Sequence, residues 1–166
     1  MARGPPCLSL GLPRATERAP KLTHGAELGG CTLVRMATLG FVEYKEASPE
    51  VRAVYDDIMA TRKTDWINNF WKALAHDPAS LKRTWERIKQ IMAPGALDAL
   101  TKEMIYLAVS VSNQCPYCIA SHTAAARKAG MSDGMFQELM AVVGMANETN
   151  RLVSGYQVEI DEQFKR

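Results

Sequence analysis

From Ser48 onward, apolar residues recur every three or four positions, which is the period of an amphipathic α-helix. Ser48 is a typical N-cap and Pro49 suits the first helical position, so a helix is predicted from here to Arg62. The same period predicts further helices over residues 66–75, 78–92, 97–113, 115–129 and 133–145, and a last helix capped by Asn147.

Turn residues separate these segments. Pro94 and Gly95 break the chain, Gly130 is typical of the left-handed position after a helix end, and Ser132 is a suitable N-cap for the next helix. No segment alternates apolar and polar residues between glycines as a strand would. The fold class is therefore predicted to be all-α, a bundle of about six to seven helices.

The large apolar residues are expected to pack rather than to bind a cofactor. We expect them in the core or at a subunit interface, and the methionines after Gly130 as soft packing along an inner face. These residues are Trp66, Phe70, Trp71, Leu81, Trp85, Ile88, Met131, Met135, Met140 and Met145.

Residues 1–35 differ from the rest of the chain. They scatter four prolines among glycines and arginines without a helical or strand period, which predicts that they do not join the core. We interpret them as a disordered extension or an artefact of start-codon choice, with Met36 as the true or alternative start. The domain is thus expected to cover residues 36–166.

Charge and hydropathy exclude two classes of partner. Residues 1–35 hold five of the 20 Lys and Arg but only two of the 18 Asp and Glu, so the remainder carries 15 against 16, a net charge of −1. A nearly neutral body gives no indication of nucleic-acid binding. No apolar run is long enough to span a bilayer, so no membrane partner is expected.

The chemistry of the chain is concentrated between Glu103 and His122. Cys115 and Cys118 form a Cys-x-x-Cys pair that can cycle between dithiol and disulfide, and His122 follows one turn later. Successive helical residues advance by about 100°, so these three side chains fall within roughly 60° of one another on one face. The pair stands at the predicted helix N-terminus, where the helix dipole favours thiolate.

Glu103 is expected to reach this face from the preceding helix. If the chain reverses near residues 113–114, the two helices pack antiparallel and Glu103 faces His122, which it would orient or polarise. A thiolate in such a site would attack a peroxide oxygen or a disulfide sulfur, and the partner cysteine would capture the resulting sulfenic acid.

Three other readings of the pair stay open. A glutaredoxin-like motif would follow a strand, and none is predicted. A zinc site would use Cys115, Cys118, His122 and Glu103 as ligands, although a single Cys-x-x-Cys is a weak zinc signal. The cysteines would otherwise be structural and buried in a helical core.

The constellation resembles the alkylhydroperoxidase D (AhpD)-like proteins of the carboxymuconolactone decarboxylase superfamily. Their motif is a glutamate followed twelve residues later by Cys-x-x-Cys-x-x-x-His, and Glu103, Cys115, Cys118 and His122 match each spacing. The likeness extends more weakly over residues 41–163. One position departs, since the best-studied members carry histidine where this chain has Tyr117.

The resemblance implies a homotrimer or a hexamer of trimers, with no metal or organic cofactor. It implies that Cys118 is the peroxidatic cysteine, that Cys115 donates a proton and resolves the sulfenic acid, and that Glu103 and His122 form a proton relay. Dipole activation would instead favour the first cysteine as nucleophile, as in thioredoxin-like motifs. The decarboxylase branch generally lacks the cysteine pair, so the resemblance does not imply lactone decarboxylation.

The first hypothesis is therefore a thiol-dependent peroxidase or disulfide reductase that reduces hydroperoxides with electrons from a thiol or dithiol. Its alternative is a non-catalytic oligomeric protein that senses redox state through the same cysteines. A cytoplasmic location would suit a dithiol that reducing systems must regenerate.

Overall fold

The structure is a computed structural model, and it describes residues 37–165. It contains six α-helices and one short 3₁₀ helix: α1 (Pro49–Arg62), α2 (Asn69–Leu74), α3 (Pro78–Met92), α4 (Ala99–Ser112), α5 (Pro116–Lys128), α6 (Asp133–Gly155) and the 3₁₀ turn Glu162–Phe164. The described part of the chain holds no strand. The all-α prediction is confirmed, whereas the predicted extension, residues 1–35, lies outside the described residues.

The helix starts follow local capping chemistry. The hydroxyl of Ser48 accepts the N–H of Val51 at the start of α1, and the hydroxyl of Ser132 accepts the N–H of Met135 at the start of α6, so both predicted N-caps are confirmed. Gly130, with φ of 106°, adopts the predicted left-handed conformation between α5 and α6. Because a side chain is strained at this φ, glycine suits the turn.

The predicted break near Asn147 is wrong. Helix α6 runs without interruption from Asp133 to Gly155, and Asn147 lies inside it. The Asn147 amide donates to Val143 O within the helix and to Ser112 Oγ at the end of α4. A side chain that satisfies its amide in this way has no need to cap a new helix.

Two predicted boundaries also shift. Helix α4 begins at Ala99 because the Asp98 carboxylate, which accepts the N–H of Thr101, is its N-cap. Helix α2 is shorter than predicted and begins at Asn69. Trp66 lies before α2 and is 63% exposed, so it is not a core residue of the described chain.

Two apolar clusters hold the helices together. The larger one joins α1, α2 and α3 around the fully buried Tyr55, Trp71 and Leu81. The smaller one joins α4, α5 and α6 around Leu107 and Ala126, with Met131 between α5 and α6. Of the methionines predicted to pack, Met145 is 58% exposed and lies outside this cluster.

A tight reversal connects α4 to α5. Gln114 adopts a left-handed conformation with φ of 54°, and the N–H of Cys115 donates to Ser110 O across the turn. This reversal folds α5 back against α4 and sets Glu103 of α4 opposite His122 of α5. Within the described residues, no helix is both long enough and apolar enough to cross a membrane.

Candidate active site

The two cysteines stand at the start of α5. Cys115 is the N-cap residue, Pro116 occupies the first helical position, and Cys118 lies in the first turn. The Cys115 Sγ accepts the backbone N–H of Cys118 at 3.3 Å, and both cysteines are free thiols. Unpaired N–H groups at a helix start favour negative charge, so this end of α5 stabilises a thiolate on Cys115.

The two sulfurs differ in acidity. Hydrogen bonds from the Cys118 thiol and from the Cys118 backbone lower the pKa of Cys115 below its ordinary value. The hydrogen bond with Cys115, together with burial, raises the pKa of Cys118 to about 11. In the dithiol state, the first proton therefore leaves Cys115 while Cys118 keeps its own.

Glu103 and His122 meet across the two helices. The Nδ1 of His122 lies 2.7 Å from Oε2 of Glu103, and both side chains are mostly buried, with 21% and 18% exposure. An ionised carboxylate can only accept, so this contact favours a proton on Nδ1, and in that neutral tautomer Nε2 has a lone pair. Among the described residues, no hydrogen bond joins His122 to either sulfur.

Tyr106 stacks on the imidazole. Its ring centroid lies 3.7 Å from that of His122, with an angle of 18° between the planes. Glu103 therefore fixes one edge of the His122 ring while Tyr106 covers one face. The sequence pattern did not reveal this stacking, which depends on the packing of α4 against α5.

Arg62 is a charged neighbour that the sequence pattern did not reveal. Its guanidinium lies 5.5 Å from the Trp71 ring and 5.4 Å from the Trp85 ring, both within cation–π range. Burial lowers the pKa of Arg62, while the charges of Glu103 and Tyr117 oppose that shift. Arginine stays protonated despite such shifts, so it adds a positive charge near Glu103.

Tyr117 ties α5 to the start of α2. Its hydroxyl accepts the backbone N–H of Phe70 at 3.1 Å. Tyr117 lines a pocket of about 870 Å³, and neither Cys115 nor Cys118 lines that pocket. At this position the chain thus has a contact between α5 and the start of α2.

A second pocket opens onto the cysteines. It has a volume of about 630 Å³, and both Cys115 and Cys118 line it. Its remaining lining comes from the end of α3, the following loop and one face of α4: Ile91, Met92, Leu97, Lys102, Ile105, Tyr106, Val109, Ser110 and Asn113. A volume of this size suits a small-molecule site, so the thiols face a space that can admit an organic substrate.

The zinc reading receives no geometric support. Between residues 37 and 165, no group of three or more His, Cys, Asp or Glu side chains is arranged to hold a metal ion. Glu103 is directed to the ring nitrogen of His122 instead of sharing an ion with the cysteines.

Known proteins resemble this chain in sequence and in fold. Residues 78–158 match the carboxymuconolactone decarboxylase family. The alkylhydroperoxidase AhpD core from Rhodospirillum rubrum, known from a crystal structure, is 57% identical in sequence to this chain. The match covers 70% of this chain and 86% of the Rhodospirillum rubrum chain, and the two structures superpose with a TM-score of 0.68.

A curated relative matches over a shorter stretch. The protein described as "uncharacterized protein 4 in cox locus" from Paracoccus denitrificans is 38% identical over 60 residues, which is 36% of this chain. The match spans about half (51%) of that relative's length. With the match to most of the Rhodospirillum rubrum core, these likenesses establish that the chain is an AhpD-like member of the carboxymuconolactone decarboxylase family.

Proposed function

We propose that this protein is a thiol-dependent peroxidase that reduces hydroperoxides through a Cys115–Cys118 redox couple. The observation that supports this function most directly is the pair of free thiols of unequal acidity at one end of an open pocket. The Glu103–His122 pair beside it supplies a route for protons. The AhpD core of Rhodospirillum rubrum carries the name alkylhydroperoxidase, which is consistent with this chemistry.

The reaction has two steps in the protein. In the first, a thiolate sulfur bonds to one peroxide oxygen, the O–O bond breaks, and the other oxygen leaves as an alkoxide that takes up a proton to become the alcohol. In the second, the partner sulfur attacks the sulfenic acid, a disulfide forms, and hydroxide leaves as water with the second proton. A dithiol reductant then returns two electrons and two protons to the cysteines.

We assign peroxide attack to Cys118 and sulfenic acid capture to Cys115, the roles that the family resemblance implies. With a pKa of about 11, only about one Cys118 in 10⁴ would be ionised at pH 7 without help. His122 lies one turn along α5 and can take that proton at Nε2, and Glu103 then stabilises the resulting imidazolium. The same proton is available for the departing alkoxide.

We also propose an oligomeric state and a cellular compartment for the protein. We assign a homo-oligomer because α6 exposes a stripe of large apolar side chains between Val142 and Val153, and the family resemblance implies that it is a trimer or a hexamer. A reducing compartment such as the cytoplasm would regenerate the dithiol. The physiological reductant would be a thiol or dithiol that reaches the exposed start of α5.

Steady-state turnover tests the proposed function. The full chain is mixed with tert-butyl hydroperoxide and excess dithiothreitol, and hydroperoxide loss is followed over many equivalents of protein. We expect continuous consumption that falls by at least about 10²-fold in Cys115→Ser and Cys118→Ser and is unchanged in Cys31→Ser, a cysteine outside the motif. Consumption of one equivalent followed by a halt would indicate the redox sensor instead.

Dimedone trapping tests the order of the two sulfurs. Dimedone labels a sulfenic acid, which accumulates when its resolving partner is absent. We expect labelling of Cys118 in the Cys115→Ser variant and no labelling in Cys118→Ser. The reverse result would give peroxide attack to Cys115.

A further inference from the structure

The pocket at the thiols is lined along one side by a single face of α4. Lys102, Ile105, Tyr106, Val109 and Asn113 recur at helical spacing and all line it. The N–H of Cys115 donates to Ser110 O, and Ser110 lies about 12 Å from Lys102 along the axis of α4, at a rise of about 1.5 Å per residue. Helix α5 then folds back along α4, so the pocket extends from Lys102 to the sulfurs, which lie nearer the turn.

The middle of the pocket is apolar. Ile91, Leu97, Ile105 and Val109 line it, and each leaves about half of its surface in water, with exposures of 53%, 47%, 50% and 52%. Covering such surface removes apolar area from water, which is favourable. An extended hydrocarbon chain would cover these side chains between the two ends.

Lys102 is an oriented cation at the far end. Its Nζ donates to Ile91 O at 2.8 Å and to Ala93 O at 2.5 Å, the carbonyls at the end of α3. An ammonium has three N–H donors, so one remains for a ligand. Within residues 37–165, Lys102 makes no ion pair with a carboxylate. The two carbonyls hold the charge in place, which reduces the ordering cost of binding an anion.

We infer that this pocket selects hydroperoxides that combine an apolar chain with an anionic head group, and that fatty acid hydroperoxides are the substrate class. Lys102 binds the carboxylate, the apolar wall covers the chain, and the peroxide lies at Cys118. The assignment of the reacting end rests on the proposed peroxidase function. The assignment of the carboxylate end rests on Lys102 and the wall alone.

Paired substrates test the role of the charge. The acid and the methyl ester of linoleic acid hydroperoxide have the same chain and the same peroxide, so only the head group differs. We expect kcat/KM to be about tenfold higher for the acid, the size of one charge-assisted hydrogen bond. Lys102→Met should remove this preference by lowering kcat/KM more for the acid than for the ester, and Lys102→Arg should restore it.

The matched control is Lys82→Met, because Lys82 is exposed on α3, pairs with Glu86 and does not line the pocket. It should keep the full preference for the acid. Equal kcat/KM for acid and ester in the unmodified protein would overturn the inference, whether or not the variants fold. So would an equal loss for both substrates in Lys102→Met.

Binding of an unreactive probe separates this inference from the peroxidase proposal. Titration calorimetry on the unmodified full chain should detect decanoate, with affinity about tenfold weaker in Lys102→Met, and decanol should bind both proteins equally. If decanoate binds in this way but no hydroperoxide is consumed, the proposed function fails and the anionic-ligand site stands. If decanoate does not bind the unmodified protein, the anionic-ligand site is refuted.

Discussion

Cys118 holds its proton tightly although it is the sulfur assigned to attack the peroxide. Its thiol is hydrogen-bonded with Cys115, whose sulfur is the more acidic of the two. A reaction that starts from Cys118 therefore needs a base, and the described chain offers His122, fixed by Glu103, one turn away. In the proposed relay, this need gives Glu103 of α4 its role, which is to stabilise the protonated His122.

The pH dependence of the rate tests this relay. If Cys118 ionised unaided, kcat/KM would rise about tenfold per pH unit up to a pKa of about 11, because the thiolate fraction rises in that way. With the relay, we expect the unmodified protein to reach a plateau well below that pH. Glu103→Gln should lower the neutral-pH rate by about 10²-fold and restore the steep rise. Parallel profiles for the two proteins would contradict the relay.

Alkylation should select the other sulfur. Iodoacetamide needs only a thiolate and no proton for its leaving group, so it should modify Cys115 before Cys118 in the dithiol protein. The rate should increase as pH rises and be half-maximal below the ordinary pKa of a free cysteine, because the pKa of Cys115 is lowered. Peptide mass spectrometry after partial reaction gives the site, and first modification of Cys118 would contradict the assignment of the resting thiolate to Cys115.

At the scale of elements, the α4–α5 hairpin could be predicted and the continuity of α6 could not. Local signals indicate where α5 begins, because Cys115 is at the N-cap and Pro116 is at the first helical position. The spacing of Glu103 from His122 then allows the two side chains to meet when α5 packs antiparallel to α4. Asn147 looks like an N-cap in sequence, but its partner Ser112 lies 35 residues away on α4. Only the tertiary contact reveals that its amide is satisfied inside a helix.

One side chain links α1 to α3. Asp57 accepts hydrogen bonds from Trp85 Nε1 at 2.6 Å and from Lys89 Nζ at 2.5 Å. Both hydrogen bonds lower the pKa of the Asp57 carboxyl, and the bond from Lys89 has the larger effect. The ionised Asp57 therefore stabilises the folded protein fully above its pKa in the unfolded chain, about 3.9. This stabilisation is lost as pH falls through the lower pKa that Asp57 has in the folded protein.

Asp57→Asn should remove this part of the pH dependence. We expect the variant to have a lower free energy of unfolding at pH 7 and a smaller decline between roughly pH 5 and pH 2 than the unmodified protein. Urea unfolding followed by tryptophan fluorescence at fixed protein concentration measures both quantities. Glu138→Gln, at an exposed position of α6, is the control, and identical pH slopes for Asp57→Asn and the unmodified chain would contradict the prediction.

At the scale of the whole molecule, apolar periodicity predicted the fold class but did not distinguish core from interface. The first half of α6 packs against the α4–α5 cluster through Phe136 and Leu139. From Val142 onward the helix carries Val142, Met145, Leu152 and Val153 within an arc of about 100°, each exposed by 48% or more. The spacing of apolar residues is similar in both parts of α6, so only the packed structure shows which part remains exposed. Arg62 and Lys102 likewise acquire their surroundings only through tertiary packing.

This exposed stripe predicts self-association. Light scattering after size exclusion should give three or six times the chain mass of 18.3 kDa. Val142→Glu combined with Val153→Glu should lower the mass, because charges would be buried at an apolar contact. Glu148→Gln, an exposed polar position of the same helix, should leave it unchanged. A single-chain mass for the unmodified protein would contradict the assembly.

The most direct test of the central claim is the stoichiometry of a single turnover. The reduced full chain is mixed with less than one equivalent of tert-butyl hydroperoxide in the absence of reductant, and alcohol release and cysteine state are measured by mass spectrometry. We predict one Cys115–Cys118 disulfide and one alcohol for each hydroperoxide consumed. Hydroperoxide that remains intact, or is consumed without formation of this disulfide, would contradict the claim.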